Sequence, residues 1–316
     1  MDMVVEFLAG LLILYIGSEC LIRGAASLKR RLGAPDFVIG LVLVGFATSL
    51  PELVIAVGAK AQLNAQGLAV GTLVGSNIAN VLLILGIVAL ILPLTVDRRA
   101  LARDGLALLI LSLLFVVFGQ LRAFGGLEAV ILLGAFVVYL VVVYVDERRL
   151  AQGGGGLFAA KAAFVSQMDF HPFVAAALVG LGAVGLVFGA GWLIEATAGY
   201  AIDSGISESV LGLTLVAVAT SVPELVTSFT AAKRGHHAVA LGNVIGSNIF
   251  NLTIGAGIVA ALPPGGFPAD IGSLDVFVLA GAAVILMIAL ATEKKLSRVE
   301  GAVLLALYAG YLFWRL

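Results

Sequence analysis

Charge is what this chain has least of. Only 12% of its 316 residues are Asp, Glu, Lys or Arg, against about 25% in a soluble domain. The net charge of −1 leaves no basic surface for nucleic acid. Cys20 is the single cysteine, which excludes an internal disulfide. The N-terminus lacks a basic segment followed by a small-residue cleavage site. The first apolar run therefore reads as a retained span and not as a signal peptide. The apolar runs also lack a nucleophile–base pair and metal-hydrolase spacing, which argues against an intramembrane enzyme.

What fills the chain instead is apolar. Hydrophobic residues make up 61% and the mean hydropathy is +1.16, the composition of a polytopic membrane protein. A span needs roughly 20 apolar residues. Ten runs fit: about 3–26, 36–60, 66–92, 104–120, 126–145, 172–200, 206–232, 237–261, 272–292 and 298–315. None alternates apolar and polar residues as barrel strands do, so helices are expected.

The basic residues orient these runs. Fifteen of the 18 Lys and Arg residues follow the odd-numbered runs, from Arg23, Lys29, Arg30 and Arg31 after the first to Lys294, Lys295 and Arg298 after the ninth. The opposite side holds only Lys60, Arg122 and Arg315. The expected topology has both termini outside, in a plasma membrane of prokaryotic type.

Two polar phrases occur twice inside the apolar runs. GFATSLPE at 45–52 returns as AVATSVPE at 217–224, and GTLVGSNIAN at 71–80 returns as GNVIGSNIFN at 242–251. Five runs precede 146–171 and five follow it. An odd number of spans per half makes the second half enter the membrane from the other side, so the expected fold is all-α, ten transmembrane helices in two inverted five-helix repeats. The repeats are expected at 1–145 and 172–316, joined by a cytoplasmic linker at 146–171 that contains GGGG.

The doubled phrases are rich in oxygen. Thr48 and Glu52 are spaced i, i+4 and Ser49 and Glu52 i, i+3, which puts all three on one helix face. Pro51 removes a backbone donor and crowds the carbonyl four residues back, so a kink is expected there. Ser76 and Asn80 are again i, i+4. The second half repeats the set as Thr220, Ser221, Pro223 and Glu224, then Ser247 and Asn251. Asn77 and Asn248 recur one residue off that face. Hydroxyls, amides and carboxylates without thiol or imidazole suit hard cations, not zinc or copper. Two carboxylates meeting in a low dielectric need a cation between them. One Ca2+ would cancel their charge, several Na+ could use the same oxygens, and protons are the third possibility. For the hydroxyls, helix-to-helix hydrogen bonding is the competing reading, and Gly71 with Gly75, or Gly242 with Gly246, has the spacing of close helix packing. The remaining charges read as local. Glu19 and Arg23 form an i, i+4 pair, and His236 with His237 lies in a cytoplasmic loop.

Paired TS-x-PE and GSN-x-x-N blocks in an inverted five-plus-five arrangement resemble the cation/calcium exchanger superfamily, of the prokaryotic sodium/calcium exchanger type. The resemblance covers essentially the whole chain. It implies alternating access, a set of central ion sites lined by the second, third, seventh and eighth helices, and gating by sliding of the first and sixth. It implies that Glu52 and Glu224 bind calcium and sodium. Thr48, Ser49, Thr220 and Ser221 would be flanking ligands, Ser76 and Ser247 sodium ligands, and Asn80 the central polar residue. The backbone carbonyls of Gly45 and Ala217 would add sodium ligands. Where some relatives carry aspartate, this chain has Asn251; potassium-dependent relatives are similar to the aspartate version. Proton-coupled relatives usually carry N-A-x-E in place of TS-x-PE. The expected function is Ca2+ extrusion in exchange for Na+. A proton/calcium antiporter is the alternative, and a passive cation channel is the alternative of another class. No cofactor is expected, and the partners are Ca2+, Na+ and membrane lipid, with no obligatory protein partner.

Overall fold

In a computed structural model of the chain, residues 3–31, 48–95, 101–151, 170–292 and 295–316 are described. Helix α1 spans Met3–Arg31, α2 Leu50–Leu63 and α3 Gln66–Ala79. A π-helical turn, Asn80–Ile84, carries α3 on into α4, Leu85–Ile91. After strand β1, Leu94–Thr95, a second π turn at Leu101–Gly105 opens α5, Leu106–Leu121, and α6 follows at Gly126–Ala151. Helix α7, Pro172–Ser204, begins the second half. Next come α8 (Glu208–Leu211), a π turn at Gly212–Val216, α9 (Ala217–Thr220) and α10 (Val222–Lys233). Helix α11, His237–Phe250, runs through the π turn Asn251–Gly255 into α12, Ala256–Ala261. The chain closes with α13 (Ser273–Thr292), β2 (Lys295–Leu296) and α14 (Arg298–Arg315).

The protein is an all-helical, polytopic membrane protein. The strands are two residues each and pair antiparallel, Leu94 with Leu296. Among the described residues eight helical segments are long and apolar enough to cross a membrane, against the ten runs read from the sequence. The run at 36–60 begins outside the described residues and continues as α2. The run at 298–315 is α14, set apart from the eight by Arg298, Glu300 and Arg315. Ser297 and Glu300 start that helix with a reciprocal capping box, which satisfies donors at its first turn. The single apolar run at 206–232 is broken at Ser221, and α6 runs to Ala151, past the apolar segment. Most of the expected linker, 152–169, lies outside the described residues.

Burial sorts the helices into shells. Of the most apolar window in each segment, 78% is buried in both Gln66–Ile91 and His237–Ala261, against 22% in Met3–Leu21 and 28% in Pro172–Ser204. Helices apolar all round and enclosed on all sides form the core. Helices α1 and α7 lie outside and offer Leu8, Leu12, Leu181 and Phe188 to lipid.

Glycine makes the close crossings possible. Along α1, Gly10, Gly17 and Gly24 face the α7 backbone, and a Cβ on Gly17 would stand 2.9 Å from the Leu186 nitrogen. In the core, α3 crosses the segment from α8 into its π turn. There a Cβ on Gly75 would meet the Leu213 carbonyl oxygen at 2.5 Å and its Cα at 2.6 Å. Small residues let helix backbones approach where apolar burial alone supplies no drive, because lipid is as apolar as leucine.

Gly75→Val should therefore destabilise the purified protein by about 1–3 kcal/mol, read as a lowered thermal midpoint in detergent. Gly134→Ala, at a position with nothing within 4 Å of a new Cβ, should leave the midpoint unchanged or raise it. Equal midpoints for the two variants would contradict this packing account.

Candidate cation site

The site lies where α2 and α10 begin beside α3 and α11. Each begins just after the serine of a doubled phrase. Ser221 has φ −79° and ψ 3° between α9 and α10, and Ser49 has φ −89° and ψ 7° before α2. Pro51 and Pro223 occupy the first turn of the helix that follows, where a missing N–H costs nothing. In the second half the helix is thus interrupted at Ser221, and in both halves a helix starts with the glutamate, Glu52 or Glu224, in its first turn. Carboxylates there face the positive end of the helix dipole. Helices α3 and α11 contribute Ser76 and Ser247 near their ends. Asn80 and Asn251 each open a π turn, and such turns recur at functional sites because they shift the facing of the residues that follow.

The candidate ligand side chains within the described residues are all buried, and hydrogen bonds tie several of them across the two halves. Glu52 and Glu224 are both 0% exposed. The halves interlock through a matched pair of contacts: the Thr48 and Ser247 hydroxyls lie 3.1 Å apart, and those of Ser76 and Thr220 lie 3.4 Å apart. Ser49 donates to Glu224 Oε1 at 3.1 Å. Asn80 Nδ2 donates to Asn248 Oδ1 at 3.0 Å, and Asn248 Nδ2 to the Asn77 carbonyl at 3.1 Å. Asn248 therefore ties α11 to α3, while Asn77 donates back to Leu73 in its own helix at 2.7 Å.

Several buried oxygens at this centre have no hydrogen-bond partner. They are both carboxylate oxygens of Glu52, Glu224 Oε2, Ser221 Oγ, Asn80 Oδ1 and Asn251 Oδ1. Buried polar atoms are nearly always paired, and leaving one unpaired costs about 1–3 kcal/mol, more for a charge. A concentration of unpaired acceptors from both halves is the donor set of a hard cation. Among the described residues no group of three His, Cys, Asp and Glu side chains is placed to hold a metal. Hydroxyls and amides must therefore complete any coordination around the two acids. The Ala217 carbonyl, read from the resemblance as a sodium ligand, accepts from the Ser221 N–H at 3.1 Å and the Thr220 hydroxyl at 3.3 Å. Gly45 lies outside the described residues.

The sequence reading missed two residues, Asn243 and Ser228. Both are 0% exposed, and Asn243 Nδ2 donates to Ser228 Oγ at 3.1 Å. The signal was available: Asn243 stands four residues before Ser247 and Ser228 four after Glu224, so each extends a ladder already drawn. The local pairs read from sequence are also present, with Arg23 donating to Glu19 at 2.6 Å.

Two acids buried among hydroxyls and amides in a helical membrane protein make the kind of site that cation transporters use. The profile of the sodium/calcium exchanger protein family matches the chain twice, over residues 3–145 and 174–316. The chain belongs to that family. It is 32% identical to the sodium/calcium exchanger MaX1 of Methanosarcina acetivorans, over 96% of each chain. It is 31% identical to a putative antiporter, CaxA, of Alkalimonas amylolytica, over 96% of this chain and 95% of that one. Its fold matches the solved sodium-calcium exchanger NCX_Mj, from a crystal soaked with Na+ and Sr2+, with a TM-score of 0.66, 30% identity and 98% of each chain covered.

The unequal bonding of the two serines gives a test. In the absence of Na+ and Ca2+, Ser49→Ala should lower the thermal midpoint, because it strips a hydrogen bond from a buried carboxylate worth about 1.5–3 kcal/mol. Ser221→Ala removes a hydroxyl with no partner and should leave the midpoint in place. The reverse order would contradict the hydrogen bonding described.

Proposed function

We propose that this protein is a secondary antiporter that extrudes Ca2+ in exchange for Na+ by alternating access. The observation that carries the reading is the pair of fully buried acids, one from each doubled phrase, set among unpaired oxygens. In this reading Glu52 and Glu224 ligate the cation. Thr48, Ser49, Thr220, Ser221, Ser76, Ser247, Asn80 and Asn251 supply further oxygens, as do the carbonyls of Gly45 and Ala217. One Ca2+ or several Na+ occupy the same centre in turn. Occupancy cancels the two negative charges, and the neutralised centre can pass between inward-open and outward-open states. The bare, doubly charged centre resists the same passage, since moving unpaired charge through a low dielectric costs several kcal/mol per ion. That penalty enforces exchange over leak.

The rest of the architecture is proposed on the same footing. The halves, 1–145 and 172–316, act as two inverted five-helix repeats of a ten-helix bundle, joined at 146–171. The distribution of basic residues supports both termini outside the plasma membrane, and the double match to one family profile supports the division. Helices α1 and α7, far less buried than the two core spans, suit the sliding pair that the resemblance implies.

Reconstituted vesicles test the reading. An outward-directed Na+ gradient should drive Ca2+ uptake, and Glu52→Gln or Glu224→Gln should each reduce it by at least about a hundredfold, the effect of losing roughly 2.7 kcal/mol of charge-assisted binding, with the thermal midpoint retained. Ca2+ flux that ignores Na+ but follows a pH gradient would replace the proposal with proton/calcium antiport. Ca2+ flux with no ion on the opposite side would mark a channel. Normal transport by either glutamine variant would overturn the site assignment.

A further inference from the structure

The two halves of the site are not equally braced, and the difference lies in one amide. Asn243 on α11 sits behind the ligating groups with contacts in three directions. Its Nδ2 donates to Ser228 Oγ at 3.1 Å and to the Glu224 backbone carbonyl at 3.5 Å, and its Oδ1 accepts from Thr48 Oγ1 at 3.4 Å. Ser228 Oγ in turn donates to the Ala240 carbonyl at 3.3 Å.

These partners fix the amide's orientation. A backbone carbonyl can only accept, so the Glu224 carbonyl requires the NH2 end to face it. Ser228 spends its proton on Ala240 and must also accept from that end. Two independent partners therefore hold the NH2 group toward α10, and the oxygen is left facing Thr48. An amide oxygen only accepts, so Thr48 must point its proton at Asn243. Its lone pairs are then left to accept, and one is met by the Ser247 hydroxyl at 3.1 Å. Thr48 is thereby held as an acceptor, the state a cation ligand needs.

The first half has no such device. With the offsets of the doubled phrases, Thr72 stands where Asn243 stands and Ala56 where Ser228 stands. Thr72 Oγ1 is buried with no hydrogen-bond partner, and Ala56 offers no hydroxyl. The bonding of the acids follows the same division. Glu224 keeps a bond from Ser49 on Oε1, while neither oxygen of Glu52 has a partner.

We propose that Asn243 is a positioning residue for cation binding: it sets the hydroxyl of Thr48 and the backbone of Glu224, so that these oxygens are preorganised while the Glu52 carboxylate adjusts to the ion. Asn243 acts through Thr48 and Glu224 and does not itself touch the cation. The inference rests on the cation site proposed above. Preorganisation lowers the ordering cost of binding, so its loss appears in affinity before it appears in turnover.

The test is the half-saturating Ca2+ concentration and the maximal rate of Na+-driven exchange in reconstituted vesicles. Asn243→Ala should raise the half-saturating concentration about tenfold, the worth of one to two buried hydrogen bonds, and change the maximal rate less than about threefold. Thr72→Val, its counterpart in the unbraced half, should leave both values unchanged. If Asn243→Ala does not yield folded protein, Ser228→Ala carries the test, with an increase of about threefold to fivefold expected from the loss of one partner. An unchanged half-saturating concentration in the folded variant would overturn the inference, as would an equal increase in Thr72→Val. Glu224→Gln, measured alongside, separates the two levels. If it abolishes exchange while Asn243→Ala binds normally, only the positioning role fails. If it transports normally, the cation site fails.

Discussion

Two carboxylates enclosed in apolar protein cannot both stay charged without a cation between them. Most of the structure follows from that constraint. Glu52 and Glu224 are fully buried, and in a low-dielectric medium their repulsion far exceeds what surface charges feel. The fold answers by surrounding them with oxygen in place of basic side chains. Lys60 and Arg103 are engaged elsewhere: Lys60 Nζ donates to Asn64, Gln66 and the Pro264 carbonyl, and Arg103 pairs with Asp104 and Asp146. In the proposed cycle the centre is neutralised by the ion it carries, which is what would make exchange obligatory.

Placing that much oxygen inside a membrane requires helices that depart from regularity at chosen points. Ser49 and Ser221 cap α2 and α10, so that two hydroxyls stand just before each helix and a carboxylate in its first turn. The π turns at Asn80–Ile84 and Asn251–Gly255 begin at the two asparagines and occur at the same offset as the GSN phrases. Glycines on α3 then let these elements approach until a methyl group would collide with backbone. Irregular backbone is tolerated at membrane depth only where it is enclosed by protein, and the two most enclosed spans are the ones that carry these two π turns.

Much of this was legible in the sequence because the polar phrases are doubled. Glu52, Glu224 and the paired hydroxyls stand out as costly residues in apolar runs, and i, i+4 spacing puts them on shared faces. The residues that were not legible break that symmetry. Asn243 replaces a threonine and Ser228 replaces an alanine, so comparing one half with the other hides both. The π turns leave no composition signal, since Asn80 and Asn251 sit in otherwise ordinary helical sequence. The Ala217 carbonyl accepts two hydrogen bonds within its own segment, so as a ligand it would share its oxygen with them. Apolar length took 206–232 as one unbroken run and does not register the turn at Ser221.

The central claim is that one cation centre is shared by both glutamates and used in turn by the two ions. Ion density in crystals of this protein soaked separately with Ca2+ and with Na+ tests it most directly. The account predicts a Ca2+ in contact with carboxylate oxygens of both Glu52 and Glu224, replaced by Na+ among the same residues at high sodium. A Ca2+ bound away from either glutamate, or Na+ and Ca2+ held at separate centres with no shared ligand, would contradict it.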